Sequence, residues 1–298
     1  MMRKVLFVFN PVAGTAKVKK NLFEIVGFYD ENNCLVTLCP ARKLTEYADE
    51  QGLDLYTYDL VVCSGGDGTL NMMVSFCQER YPDVTIAYVP SGSTNDYAYS
   101  IGIPDNMEAA LRNTLNGTVR RIDIGNFNGR CFLYVAAFGI FTKTSYSTSQ
   151  KSKNLLGHMA YILEGIKQVS EIRSYHMKVS AHDIELEGDY MLGLVTNTLS
   201  VGGFKNLLPR ERIALDDGEF EVLLIQKPSN LTELHGIITA LLREKLEDAP
   251  YIAFFRSPKV IVHAECKLAW TLDGEYGGEV QNVEILNMEK QLKIVCEG

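Results

Sequence analysis

Residues 64–71 read SGGDGTLN. Three glycines, Asp67 and Asn71 sit between the apolar run DLVVC (59–63) and the helix-like MMVSFCQER (72–80). A tight turn needs one glycine or two; three around a carboxylate ask for a ligand. Two more stretches share this composition, NPVAG (10–14) and PSGSTND (90–96). Glycines let backbone N–H groups approach a phosphate closely, and a following helix N-terminus adds the positive end of its dipole. Taken singly, NPVAG is an ordinary turn, and PSGSTND an ordinary helix start with Ser93 or Thr94 as N-cap. Together, and in this order, the three loops point to the phosphates of a nucleotide.

The elements that must position these loops alternate. KVLFVF (4–9), CLVTLC (34–39), LVVC (60–63) and VTIAYV (84–89) read as strands. Helix patterns lie between and after them at 17–29, 43–51, 70–80 and 106–115, and Leu70, Met73, Val74 and Cys77 fall on one helical face. This rhythm predicts an α/β domain with a doubly wound parallel sheet, whose ligands bind after the carboxyl ends of strands. Each of the three loops follows such a strand.

Near residue 120 the rhythm changes. Asn128-Gly129 between two strand-like runs is a hairpin signal. A long helix pattern at 154–170 and another at about 230–246 accompany eight strand-like runs, which predict a β-rich, antiparallel, sandwich-like domain. The expected division is 1–125 and 126–298, with the last strands free to pack back on the first domain.

Composition narrows the function. The chain has 298 residues, 46% apolar and 22% charged, enough to build two cores. A net charge of −8 argues against a nucleic-acid partner. Seven scattered cysteines without a CxxC pair suggest neither disulfides nor zinc and fit a cytoplasmic setting. The longest apolar stretches fall short of the ~20 residues that span a bilayer, so any membrane contact is expected to be peripheral. There is no GxxxxGK[ST], no GxGxxG after the first strand and no HExxH, which disfavours P-loop enzymes, NAD dehydrogenases and zincins. The five histidines are isolated.

The set NPVAG, GGDGTLN and PSGSTNDYAYSIGIP closely resembles the diacylglycerol kinase catalytic-domain family, which includes bacterial lipid kinases and sphingosine kinases. RRIDIGNFNGRCFLYVAAFG (120–139), IALDDGEFEVLLI (213–225) and AWTLDGEYG (269–277) resemble later parts of its pattern, so the likeness covers nearly the whole chain. The resemblance implies transfer of the γ-phosphoryl group of ATP, with magnesium, to the hydroxyl of diacylglycerol or a related lipid in an interdomain cleft. By the same resemblance Asn10, Pro11, Gly14, Gly65, Gly66, Gly68, Thr69, Asn71, Gly92, Ser93, Thr94 and Asn95 line the nucleotide. Asp67 and Asp123 act on magnesium and in catalysis, Glu275 is the general base, and Asp216 and Asp217 belong to a structural metal. Phosphoryl transfer needs positioning and charge neutralisation, which such carboxylates can supply.

One departure is Tyr99, where the family often carries an arginine. Lys17, Lys19, Lys20, Lys151 and Lys153 could assist with phosphate or headgroups, or be plain solvated lysines. Lipid-facing side chains could come from 134–141, 156–163 and 200–204, although most of these read equally as core. The resemblance also implies transient work at the inner face of the membrane and leaves room for a homodimer. Two other readings stay open: a small-molecule kinase related to NAD kinase or phosphofructokinase, which share a GGDG-type loop, and a nucleotide- or lipid-binding regulator with a decayed site.

Overall fold

The computed structural model describes residues 2–14, 17–139, 159–160, 163–166, 168–198, 200–201, 204–205, 214–243, 245–246 and 249–297. The chain forms two compact units, one of residues 1–122 with 290–298, the other of residues 123–289.

The first unit is built on β1 (Arg3–Phe9), β2 (Cys34–Pro40), β3 (Leu60–Gly65) and β4 (Ile86–Pro90), with helices α1 (Lys17–Lys20), α2 (Leu22–Glu31), α3 (Leu44–Glu50), α4 (Asp67–Arg80), α5 (Asp96–Ser100) and α6 (Met107–Asn116). The pattern at 17–29 is thus two helices, interrupted at Asn21. The sheet order is β4-β3-β1-β2 and every pairing is parallel. β1 therefore has β2 on one side and β3 on the other. The strands are almost continuous apolar runs, as a sheet buried on both faces requires, and Val5–Val8 and Leu60–Cys63 are buried throughout. Leu70, Met73, Val74 and Cys77 all lie on the buried side of α4, as their spacing predicts.

The second unit is antiparallel. Its described strands begin with the end of β5 (Thr118–Phe127), then β6 (Arg130–Phe132), β7 (Val135–Gly139), β8 (Tyr175–Ala181) and β9 (Ile184–Thr196). The short pair β10 (Ser200–Val201) and β11 (Phe204–Lys205) follows, then β12 (Phe220–Gln226), helix α7 (Leu231–Arg243), β13 (Ile252–Ser257), β14 (Lys259–Leu272) and β15 (Glu275–Cys296). β8 and β7 lie end to end between the long strands β9 and β14; β12 and β13 extend the sheet beyond β9, and β15 beyond β14. The hairpin at Asn128-Gly129 forms as predicted, with both residues at positive φ (48° and 87°), the two-residue turn that matches strand twist.

Several runs that read as separate strands are single ones. IELEG and MLGLVTNT join in β9, KVIVHAE and CKLAWTL in β14, and VEILN and LKIVC in β15. β14 stays continuous by shifting register between His263 and Leu268 rather than turning. β13 is a strand the sequence reading passes over. The long helix expected at 154–170 falls mostly outside the described residues. The core gathers on one face around Trp270, whose ring meets Phe127 and Phe138 at centroid distances of 5.1 and 4.9 Å, while Phe132 stacks on Phe220 at 5.7 Å.

The last seven residues of β15 belong to the first unit. There Ile294 pairs in parallel with Ile86 of β4, and the carbonyls of Lys290 and Gln291 accept from Arg121 and Gln78. Among the described residues no helix is long and apolar enough to cross a membrane.

Candidate active site

In the first unit the three glycine-bearing loops come together at the carboxyl ends of β1, β3 and β4. The Asn10 backbone N–H donates to the Ser64 carbonyl at 2.9 Å, and the Ser91 N–H donates to the Gly65 carbonyl at 2.8 Å. Asn10 Nδ2 reaches Thr69 Oγ1 at 3.1 Å, while Asn10 Oδ1 accepts from the Val12 N–H at 3.1 Å. Asn10 thus ties its own loop to the start of α4. Tyr88 supports the arrangement from below by donating to the Gly65 carbonyl at 3.0 Å; burial, then the nearby Asp67 charge, push its hydroxyl pKa well up.

The approach is too close for side chains. Gly14 has φ +52°, and a Cβ there would stand 2.5 Å from the Ser91 carbonyl oxygen. A Cβ on Gly92 would stand 2.5 Å from the Gly66 Cα. Gly66 caps α4 without a side chain, and its carbonyl accepts from the Thr69 and Leu70 N–H groups at 2.9 and 3.1 Å. Gly68, Ser93 and Thr94 are exposed beside them, and Thr69 and Asn95 are buried. Asn71 accepts from Ser75 one turn along α4, and Pro11 is half-buried in the first loop.

Asp67 is the first residue of α4 and 9% exposed. Its carboxylate accepts from the Asp96 N–H at 3.1 Å, the Tyr97 N–H at 3.3 Å and the Thr94 hydroxyl at 3.4 Å. It therefore joins the second loop to the third and sits at the start of both α4 and α5. The N-cap of α5 is Asn95, in the left-handed region at φ +53°, and not Ser93 or Thr94. Thr94 spends its hydroxyl on Asp67 instead, and Asn95 accepts from Gly92 N at 2.9 Å. Asp96, 2% exposed, is a buried carboxylate-bearing residue of this site that the sequence reading left unselected. Its only local signal was its place after Asn95 at a helix start.

In the second unit Asp123 is fully buried on β5. Its Oδ2 accepts from the Gly218 N–H at 2.7 Å, its N–H donates to the Leu215 carbonyl at 2.8 Å, and its carbonyl accepts from Asn197 Nδ2 at 3.3 Å. Glu275 is exposed at the first position of β15, directly after the turn Asp273-Gly274, both at positive φ. The turn is anchored firmly. Asp273 is 6% exposed and its carboxylate accepts three backbone N–H groups, from Leu133, Tyr134 and Val135, at 2.7, 3.0 and 3.1 Å. Glu275 is thus an exposed carboxylate on an anchored hairpin. Sequence reading valued the motif for Glu275 and missed the anchor two residues before it.

Asp67 in the first unit and Asp123 in the second are each buried carboxylates, hard oxygen donors of the kind magnesium takes. Asp217 does not fit. Its Oδ1 accepts from the Glu219 N–H at 3.1 Å and its Oδ2 is in a close ion pair with Arg256. Among the described residues no three His, Cys, Asp or Glu side chains gather as a metal set. Tyr99 is half-buried on α5. Lys151 and Lys153, and most of 140–158 and 199–213, lie outside the described residues, whereas Ala136 and Phe138 of the lipid-facing expectation belong to the core.

Comparison with known proteins gives the family of the chain. Residues 4–127 match the diacylglycerol kinase catalytic domain, and residues 137–294 match the YegS C-terminal NAD kinase beta sandwich-like domain. The chain is 32% identical to a diacylglycerol kinase of Bacillus subtilis over 299 residues, covering 99% of this chain and 96% of that one. It is 27% identical to one from Staphylococcus saprophyticus, covering 99% and 95%. A crystal structure titled as a putative diacylglycerol kinase from Bacillus anthracis shares the fold, with a TM-score of 0.79 at 20% identity over 99% of this chain and 95% of that one. The chain belongs to the diacylglycerol kinase catalytic-domain family and is a lipid kinase.

Proposed function

We propose that this enzyme transfers the γ-phosphoryl group of ATP to the hydroxyl of diacylglycerol, the lipid named for its relatives. The observation that carries the reading is the convergence of three loops at Gly14, Gly66 and Gly92, whose backbones approach one another more closely than side chains allow. The first unit is read as a doubly wound nucleotide domain, with the α4 N-terminus, Gly68, Ser93 and Thr94 facing the phosphates. Asp67 and Asp123 would hold magnesium, directly or through water. When bound, that ion neutralises charge on the transferring phosphoryl group.

Glu275 takes the proton of the acceptor hydroxyl. The lipid oxygen then forms its bond to the γ-phosphorus as the bond to the β–γ bridging oxygen breaks, and ADP leaves. An exposed carboxylate on a rigid turn suits this role, because it can meet a lipid without unfolding its support. The acceptor resides in a bilayer, so the enzyme works by peripheral contact with it.

The test is γ-labelled ATP with diacylglycerol in mixed micelles, and phosphatidic acid as the product. Label entering NAD or another soluble acceptor, with none in lipid, would refute the assignment.

A further inference from the structure

Asp123 is tied to one turn, residues 215–218: its backbone N–H donates to the Leu215 carbonyl and its carboxylate accepts from the Gly218 N–H. That turn leads directly into β12, and its entry is crowded with acid: Asp217, Glu219 and Glu221. A single guanidinium answers all three. Arg256 of the neighbouring strand β13 pairs closely with Asp217, and its Nη1 and Nε stand 3.4 Å from Glu219 and 3.6 Å from Glu221. The pairing register sets Arg256 opposite Glu221, and Glu221 opposite Thr196 of β9. Glu221 is only 1% exposed, and neither of its carboxyl oxygens accepts a hydrogen bond. Among the described residues the cation that stands beside this buried carboxyl is Arg256.

Carboxylates this close repel unless a cation stands among them, and a divalent ion is the usual solution. Here the cation is part of the chain. Its planar fork can address several carboxylates at once, which a point charge cannot do as well.

We propose that Arg256 is a positioning residue that takes the place of a divalent cation at this turn: it fixes Asp217, and through the turn it fixes Asp123. No metal is then needed at Asp217 for the turn to hold. The activity arm of this inference rests on the proposed function; the metal arm does not.

The experiment uses the full chain without nucleotide, melted in EDTA and in millimolar magnesium at constant ionic strength. Wild type is expected to melt at the same temperature in both. Arg256→Met is expected to melt several degrees lower in EDTA and to recover partly in magnesium, as the emptied position accepts the ion. Its kcat should fall about tenfold or more, the scale of a slightly misplaced group, with KM for ATP unchanged. Arg256→Lys keeps the charge without the fork and should restore only part of the loss. A wild-type chain that keeps one divalent ion through gel filtration and loses several degrees in EDTA would overturn the proposal. So would an Arg256→Met variant with wild-type melting and kcat. If Arg256→Met does not fold, Arg256→Lys carries the same comparison: it should stay insensitive to EDTA, and a loss of several degrees overturns the proposal. Wild type that phosphorylates no lipid would count against the proposed function alone, because the melting comparison still reads the metal.

Discussion

Glu221→Gln is expected to flatten the fall in stability that the wild type shows between mildly acidic and mildly basic pH. Burial pushes the Glu221 carboxyl from its ordinary 4.5 to about 8; Arg256 pulls it back down, while Asp217 and Glu219 add to the rise. The folded chain therefore holds this proton more tightly than the unfolded chain does. The stabilisation is complete below pH 4.5, declines as pH rises, and is gone above about 8. At 1.36 kcal/mol per pH unit, the interval from 4.5 to about 8 amounts to roughly 5 kcal/mol as a ceiling. Glutamine has no proton to lose, so the difference in unfolding free energy between variant and wild type should grow with pH, by up to about 1.4 kcal/mol per unit. Above pH 8 it should level off. Urea unfolding at half-unit steps from pH 5 to pH 9 measures it. A difference that stays constant across that range would refute the reasoning, since it would mean that Glu221 titrates alike in both states.

Glu275→Gln should lower kcat by about 10²–10⁴ with little effect on melting, because the side chain is exposed and the hairpin is held by Asp273; labelled-ATP kinetics and a thermal melt check both halves. Gly92→Ala should raise KM for ATP strongly, because the new methyl meets the Gly66 backbone and forces the second and third loops apart; nucleotide titration by calorimetry reads the loss directly. Asp273→Ala should cost about 3 kcal/mol or more by leaving three buried N–H groups without their acceptor, and should also depress kcat. Hydrogen exchange at Leu133, Tyr134 and Val135 should quicken in that variant, while Asp273→Asn retains part of the protection.

Local chemistry was legible where local chemistry decides the structure. The Asn128-Gly129 turn, the buried face of α4 and the strand-to-loop rhythm of the first unit each rest on a few neighbouring residues. The close approach of the glycine-bearing loops was legible for the same reason, because glycine at Gly14 and Gly92 answers a backbone requirement that other residues do not meet. Long strands were harder. β9, β14 and β15 run through polar and glycine positions that resemble turns, and a strand with one exposed side tolerates them. Long-range pairs were not legible at all. Nothing near Asp273 signals the amides of residues 133–135, and nothing near Asp217 signals Arg256, because the register that joins them is set by two whole strands. Asp96 was hidden differently: its loop drew notice for glycine, serine and threonine, and the acid at its end passed as a helix-start residue.

β15 has a consequence for how the protein is made. Ile294 completes the sheet edge beside Ile86, a partner 294 − 86 = 208 positions earlier in the chain. On the ribosome the first unit therefore emerges with β4 uncovered, and it stays so while the second unit is synthesised. An open parallel edge is a template for wrong pairing. The second unit, contiguous from 123 to 289, is able to fold as it appears. The glycine-bearing loops of a half-made chain thus rest on a sheet that still lacks its last member, and adding that member is a late step of assembly.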